Sequence, residues 1–259
     1  VSSLPPYTLR RSARSRGLRI TIDPLRGLIV SVPPATRRGW AHPEPQIEGF
    51  IRERQGWIRR HLDRHASQAA ALAARGGLRD GGLVPFRGEL HALAIAAAPV
   101  GVTRSTVSRR LIVEGDHPLL VVARAARDRR SLRAVLEGWL REEARAAIEE
   151  EVRRHASALG VQPAAVSVRD QRSRWGSASR HGRLSFSWRL ILAPPEALET
   201  VVVHELAHLR VFGHGPEFWA LVASRRPDHV VWRRWLRSHS MELHTALDEP
   251  GPDSVRATA

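Results

Sequence analysis

The run Val-Val-Val-His-Glu-Leu-Ala-His-Leu-Arg-Val-Phe-Gly-His, Val201 to His214, restricts this chain more than any other stretch. His204 and His208 are four apart, so on a helix they lie one turn above each other and reach toward the same point. Glu205 then stands beside that point. Leu198, Val201, Val202, Val203, Leu206, Ala207, Leu209 and Val211 make the surroundings apolar on nearly every face, the pattern of a helix buried within its domain. Burying ionisable groups at this density is costly unless something compensates, and a metal ion held by the imidazoles does so. The competing reading, hydrogen-bonded core histidines beside a snorkelling glutamate, is the weaker one in this context. Glu205 is then placed to take a proton from metal-bound water.

A third ligand is needed, and His214 is the best candidate. Gly213 is a helix stop signal and Gly215-Pro216 opens the next helix, so His214 falls on a short corner from which it can swing back. Its distance from His208 matches H-E-x-x-H-x-x-G-x-x-H, but Val211 occupies the glycine position and the glycine comes at 213. The turn must therefore differ. Glu217 competes as third ligand, although at a helix start it also suits the dipole. Three protein ligands leave a position for water, as a catalytic zinc requires. The chain has no cysteine, so one zinc per chain would be held by imidazole and carboxylate alone.

The rest of the chain alternates strands and helices. Residues 1–17 are arginine-rich and read as an ill-ordered lead-in. Leu18–Ile22 and Leu28–Val32 flank turn chemistry at Asp23–Gly27 and predict a hairpin. Ile47, Phe50, Ile51, Trp57, Ile58 and Leu62 suit one helix from Pro45 to about His65, with Trp57 in the core. Gly76-Gly77 and Gly81-Gly82 suggest a flexible joint. Strands follow at 88–97, 104–113 and 118–123, then a long helix capped by Asp128 and running to about Ala158. Glu142, Glu143, Glu149, Glu150 and Glu151 belong to its solvated face, and a second metal among them is disfavoured. Ala165–Val168 and Leu184–Arg189 read as strands of one sheet. Pro194-Pro195 breaks the chain before the histidine helix. Short helices at Pro216–Ser224 and Asp228–Ser238 follow, with Asp228 as N-cap, and 245–259 reads as disordered. The resulting division is 1–75, 76–244 and 245–259.

From Arg172 to His229 several motifs occur in series: Trp175-Gly176-Ser177, Trp188-Arg189-Leu190-Ile191 followed by Ala193-Pro194-Pro195, Val202-Val203-His204-Glu205-Leu206 and His214-Gly215-Pro216-Glu217-Phe218-Trp219. In this order they resemble the YgjP-like metallopeptidase family, relatives of the SprT-like zincins. Ala178 and Ser187 depart from that family's usual Cys and Asn. The resemblance implies an α+β zincin-like metallopeptidase domain with a mixed sheet and the H-E-x-x-H helix, preceded by a small β-rich N-terminal region. It implies one zinc held by His204, His208 and His214, with Glu205 as base. It also places the sheet of the second tryptophan motif above the metal, where an edge strand pairs with extended peptide. Arg174, Trp175 and Arg189 are the candidate substrate contacts, either arginine serving to stabilise an oxyanion. The competing reading of both is a structural or solvated arginine.

Composition bounds the function classes. The N-terminus lacks a hydrophobic signal core and the longest apolar run, Ala92 to Val102, is too short to span a bilayer, so a soluble cytoplasmic protein is the expectation. A net charge of +15 invites a nucleic-acid partner. However, all 41 basic residues are Arg and are spread along the chain, a pattern that suggests coding bias as much as selection for phosphate contacts, so a non-specific polyanion affinity is the expectation. The leading function is a zinc-dependent peptide hydrolase acting on peptide or protein. A nucleotide phosphoanhydride hydrolase and a nucleic-acid-binding protein with a structural metal are the alternatives. Oligomeric state is not legible.

Overall fold

Alternation at period two forms the first sheet, as the hairpin signal predicts. The computed structural model describes residues 4–23, 27–114, 116–171 and 173–248. Its first strand, β1 (Tyr7–Arg11), lies within the stretch expected to be ill-ordered. It pairs in parallel with β3 (Gly27–Val32), while β2 (Arg19–Asp23) pairs with β3 antiparallel, giving the order β1-β3-β2. A parallel partner is distant in sequence, so no local turn signal announces β1. Leu28, Val30 and Val32 bury one face of β3 against Ile47, Ile51 and Ile58.

Those isoleucines come from two helices, α1 (Glu44–Glu53) and α2 (Gln55–Ala74), where one was expected. The break sits at Arg54, with φ −107° and ψ 10°. Ile51 and Ile58 are two turns apart, so the apolar period runs through the break and conceals it. Trp57, expected in the core, is 39% exposed and packs on His61.

The chain divides into two compact units, Val1–Ala71 and Leu72–Ala259. The paired glycines belong to the second unit and form a tight turn, not a loose joint. A Cβ on Gly82 would lie 2.0 Å from the carbonyl oxygen of Gly77, and Gly81 and Gly82 both bond to Leu93. There follow β4 (Leu83–Phe86), β5 (Glu89–Ala97), β6 (Thr106–Glu114) and β7 (His117–Arg124) in the order β4-β5-β7-β6. Helix α3 (Leu132–Ala156) buries Val135, Leu136, Leu140, Ala144, Ile148 and Val152 along one stripe. Its cap is Ser131, whose hydroxyl accepts from the Ala134 amide. Asp128 instead accepts from the Ser105 amide and pairs with Arg130. Both residues are good cap formers, and the demand of Ser105 for an acceptor decides between them.

A second sheet has the order β8-β10-β9, from β8 (Ala165–Arg169), β9 (Gly176–Ala178) and β10 (Arg183–Ser187). After Ser187 the chain tightens into a 3-10 turn, Trp188–Leu192, where it was expected to continue as strand. Helix α4 (Pro195–Ala207) then starts with Pro at its first position, and α5 (Pro216–Arg225) and α6 (His229–His244) complete the unit. The β4-β5-β7-β6 and β8-β10-β9 sheets, the 3-10 turn and α3, α4 and α6 share one apolar core, in which Phe86, Leu120, Leu136, Phe186, Trp188 and Val202 are fully buried. Ala246 and Leu247 are buried too, and Arg133 pairs with Asp248, so 245–248 is packed; the rest of the expected tail lies outside the described residues. No helix among the described residues is long and apolar enough to cross a membrane.

The start of α4 is gripped by the β4–β5 turn. Arg87 and Gly88 both have positive φ, as a two-residue hairpin turn requires, and their amides donate to the Ile191 and Leu192 carbonyls. A Cβ on Gly88 would stand 3.0 Å from Pro194 Cα. Gly88→Ala therefore meets both a left-handed backbone and a steric clash. A loss of about 2 kcal/mol is expected, read as a lower urea midpoint in equilibrium unfolding.

Candidate metal centre

Helix α4 is apolar on nearly all sides: Ala197, Leu198, Val201, Val202, Val203, Leu206 and Ala207 are buried. Into this setting it carries His204 and Glu205. His208 is its C-cap, and the His208 amide still bonds back to the His204 carbonyl at 3.3 Å, so the two imidazoles keep helical spacing. The helix ends at Ala207, earlier than the stop signal at Gly213 suggests, and the chain runs through turns to α5. Gly213 has φ +97°, a backbone that turns the chain so that His214 faces back.

The structure brings the three expected imidazoles together. His214 Nε2 lies 3.2 Å from His208 Nε2 and 3.2 Å from His204 Nε2. The ligating atoms of the three residues all lie within 4.8 Å of one another. Glu217 is exposed at the start of α5 and is not part of the cluster. His208 Nδ1 lies 3.3 Å from the Val211 carbonyl; a carbonyl can only accept, so this bond puts the proton on Nδ1 and leaves the Nε2 lone pair toward the cluster. Phe218, fully buried, packs against all three rings, with centroids at 4.9, 4.4 and 4.9 Å from His204, His208 and His214. Trp219 stacks on His214 at 5.6 Å.

Electrostatics makes the site ready for a cation. Burial, aided by His208 and His214, pushes the pKa of His204 down to about 3, so its ring is neutral at pH 7. Burial likewise lowers that of His208. No proton need be displaced from these rings for a metal to bind. Glu205 is 6% exposed, and burial pushes its pKa up to about 7 against the lowering effect of Arg174.

The Trp175-Gly176-Ser177 motif has a steric role that sequence reading missed. A Cβ on Gly176 would stand 2.7 Å from both Cγ and Oε1 of Glu205. Glycine is thus what lets β9 close over the carboxylate. Trp175 stacks on His244 at 5.0 Å and lines the cavity beside His204 and Glu205. Arg174 is exposed, near enough to Glu205 to act on its charge. Arg189 is elsewhere: it is 2% exposed, pairs with Asp170 and covers the Trp188 ring at 4.5 Å. The 3-10 turn draws it into the core, so it serves packing and not substrate. Asp228 holds the cap position of α6, but its carboxylate accepts from the side chains of Trp232 and Arg226, not from a backbone amide of the helix or an imidazole of the cluster.

A second group of metal-type side chains, Glu151, His155 and Glu199, gathers where α3 meets α4. Glu151 was expected on the solvated face. Here Arg154 pairs with Glu151, Arg226 with Glu199, and Arg225 approaches His155. With arginines already balancing both carboxylates, this is an ion-pair network joining two helices.

A family model for the YgjP-like metallopeptidase domain matches residues 16–239. The chain belongs to the YgjP-like family. Its members are metal-dependent hydrolases by description, in keeping with the α/β architecture and the histidine cluster. No curated protein and no solved structure matches the chain significantly.

Gly176→Ala isolates the steric role of the motif. The added methyl displaces the Glu205 carboxylate while leaving the three imidazoles alone. Metal content should be unchanged, and metal-dependent hydrolysis should fall about 100-fold, the scale of an ångström-sized misplacement. Elemental analysis and a turnover assay on the same sample check both halves.

Proposed function

We propose that this YgjP-like protein is a zinc-dependent peptide hydrolase in which His204, His208 and His214 hold one zinc ion and Glu205 is the general base. The observation that carries the reading is the 3.2 Å approach of the imidazole Nε2 atoms with a buried carboxylate on the next residue. Tetrahedral zinc with bonds of 2.0–2.1 Å requires nitrogens about 3.3–3.4 Å apart, so the donor set fits that ion. The absence of cysteine and the neutral state of His204 suit it as well. When bound, zinc supplies Lewis acidity toward water and a carbonyl oxygen.

The chain's own groups do the rest. Glu205, with a pKa near 7, accepts the proton of the attacking water and returns it to the departing amine. Burial keeps this carboxylate weakly solvated and therefore a stronger base than one in water. Strand β9 is an edge of its sheet, and its Gly176 lies directly against Glu205. An extended peptide adding to that edge would bring its backbone past the base. Arg174, exposed beside Glu205, is the remaining candidate for stabilising an oxyanion.

Glu205→Gln keeps size and hydrogen bonding but removes the base. It should retain close to one zinc per chain while peptide hydrolysis drops by about two to four orders of magnitude. His204→Ala and His208→Ala should instead purify without zinc. Full zinc in those two variants sinks the ligand assignment; full activity in Glu205→Gln sinks the mechanism.

A further inference from the structure

Beside His204 and Glu205 opens a cavity of about 500 Å³ whose walls differ in kind. Trp175, Val201 and Leu236 give it an apolar side. Arg233 and Arg237, one turn apart on α6, give it a cationic one, and among the described residues Glu205 is the only carboxylate that lines it. Arg233 lies over the Trp219 ring at 3.9 Å, and that indole stacks in turn on His214. The cationic wall and the histidine cluster therefore share one aromatic support.

Neither arginine has a carboxylate partner among the described residues. Elsewhere in this unit Arg75 is matched by Glu242, Arg189 by Asp170, and Arg226 by Glu199 and Asp228. Like charges at this helical spacing repel. Burial, and then Arg237, already press the pKa of Arg233 downward. Two unmatched guanidinium groups held in a concavity are an arrangement that an anion from outside completes. Their planar donor forks suit a carboxylate, which one or both can grip by paired hydrogen bonds.

We infer that Arg233 and Arg237 form a substrate subsite for a carboxylate carried by the peptide close to its scissile bond. This deepens the peptidase reading above and rests on it. Such a carboxylate has two sources, an acidic side chain or the free C-terminus of the peptide. The apolar wall of Trp175, Val201 and Leu236 would hold the neighbouring carbon chain.

The test uses full-length, zinc-loaded Glu205→Gln protein, so that binding is read without turnover. Three matched tetrapeptides are titrated by calorimetry: one with an acidic side chain and amidated end, one neutral with a free carboxylate, one neutral and amidated. One or both carboxylate-bearing peptides should bind about 10- to 100-fold more tightly than the third, the worth of charge-assisted hydrogen bonds. The peptide that gains identifies the source. Arg237→Gln, at an exposed position, should abolish the preference with zinc content and thermal midpoint unchanged, and Arg233→Gln should abolish it as well. Equal binding of all three peptides, no binding of any, or a preference that survives both substitutions overturns the subsite. So does Arg237-dependent binding of a nucleoside triphosphate with none of the peptides. The peptidase reading is judged separately, by mass spectrometry of peptides incubated with the native protein. A carboxylate preference without cleavage would end that reading and leave the anion site; cleavage without preference would do the reverse.

Discussion

The desolvation of His204 and Glu205 inside an apolar helix is the constraint on which the second unit depends. Helix α4 is covered on nearly every side, so both groups are driven toward their uncharged forms, the imidazole downward in pKa and the carboxylate upward. Burial is the largest cause of both shifts. The surroundings then supply position. The β4–β5 turn grips the start of the helix through Gly88 and Pro194, and Phe218 backs the three rings from below. Stability and chemistry draw on the same contacts here, because the core that holds α4 is the medium that tunes its side chains.

What was legible in the chain was local. His204, Glu205 and His208 declare themselves by spacing along one helix, and Gly213 and Pro216 bracket His214 within a few residues. The hairpin of β2 and β3 is likewise written in adjacent alternating runs. Features decided by distant partners were not legible. Strand β1 forms because β3 offers it a parallel edge, and Arg189 turns inward because Asp170 and Trp188 receive it. Ser131 takes the cap of α3 from Asp128 because the Ser105 amide needs that carboxylate. In each case local propensity allowed two outcomes and a contact across the fold selected one.

The arginine excess shows the same limit in another form. With 41 basic residues spread along the chain, Arg233 and Arg237 do not stand out in the sequence. They stand out in the fold, where both line the cavity beside His204 and Glu205 and neither has a carboxylate partner among the described residues. The informative positions are those left uncancelled beside the histidines.

Gly176 carries a consequence beyond its own strand. Its hydrogen atom occupies the only room that Glu205 leaves under β9, so two segments far apart in the chain must change together or not at all. On the proposed assignment, relatives that keep the three histidines and the glutamate but carry a larger residue at the glycine position would retain the metal ligands with the base dislodged. On that assignment the glycine would separate working hydrolases from silent copies, which the histidine motif alone does not do.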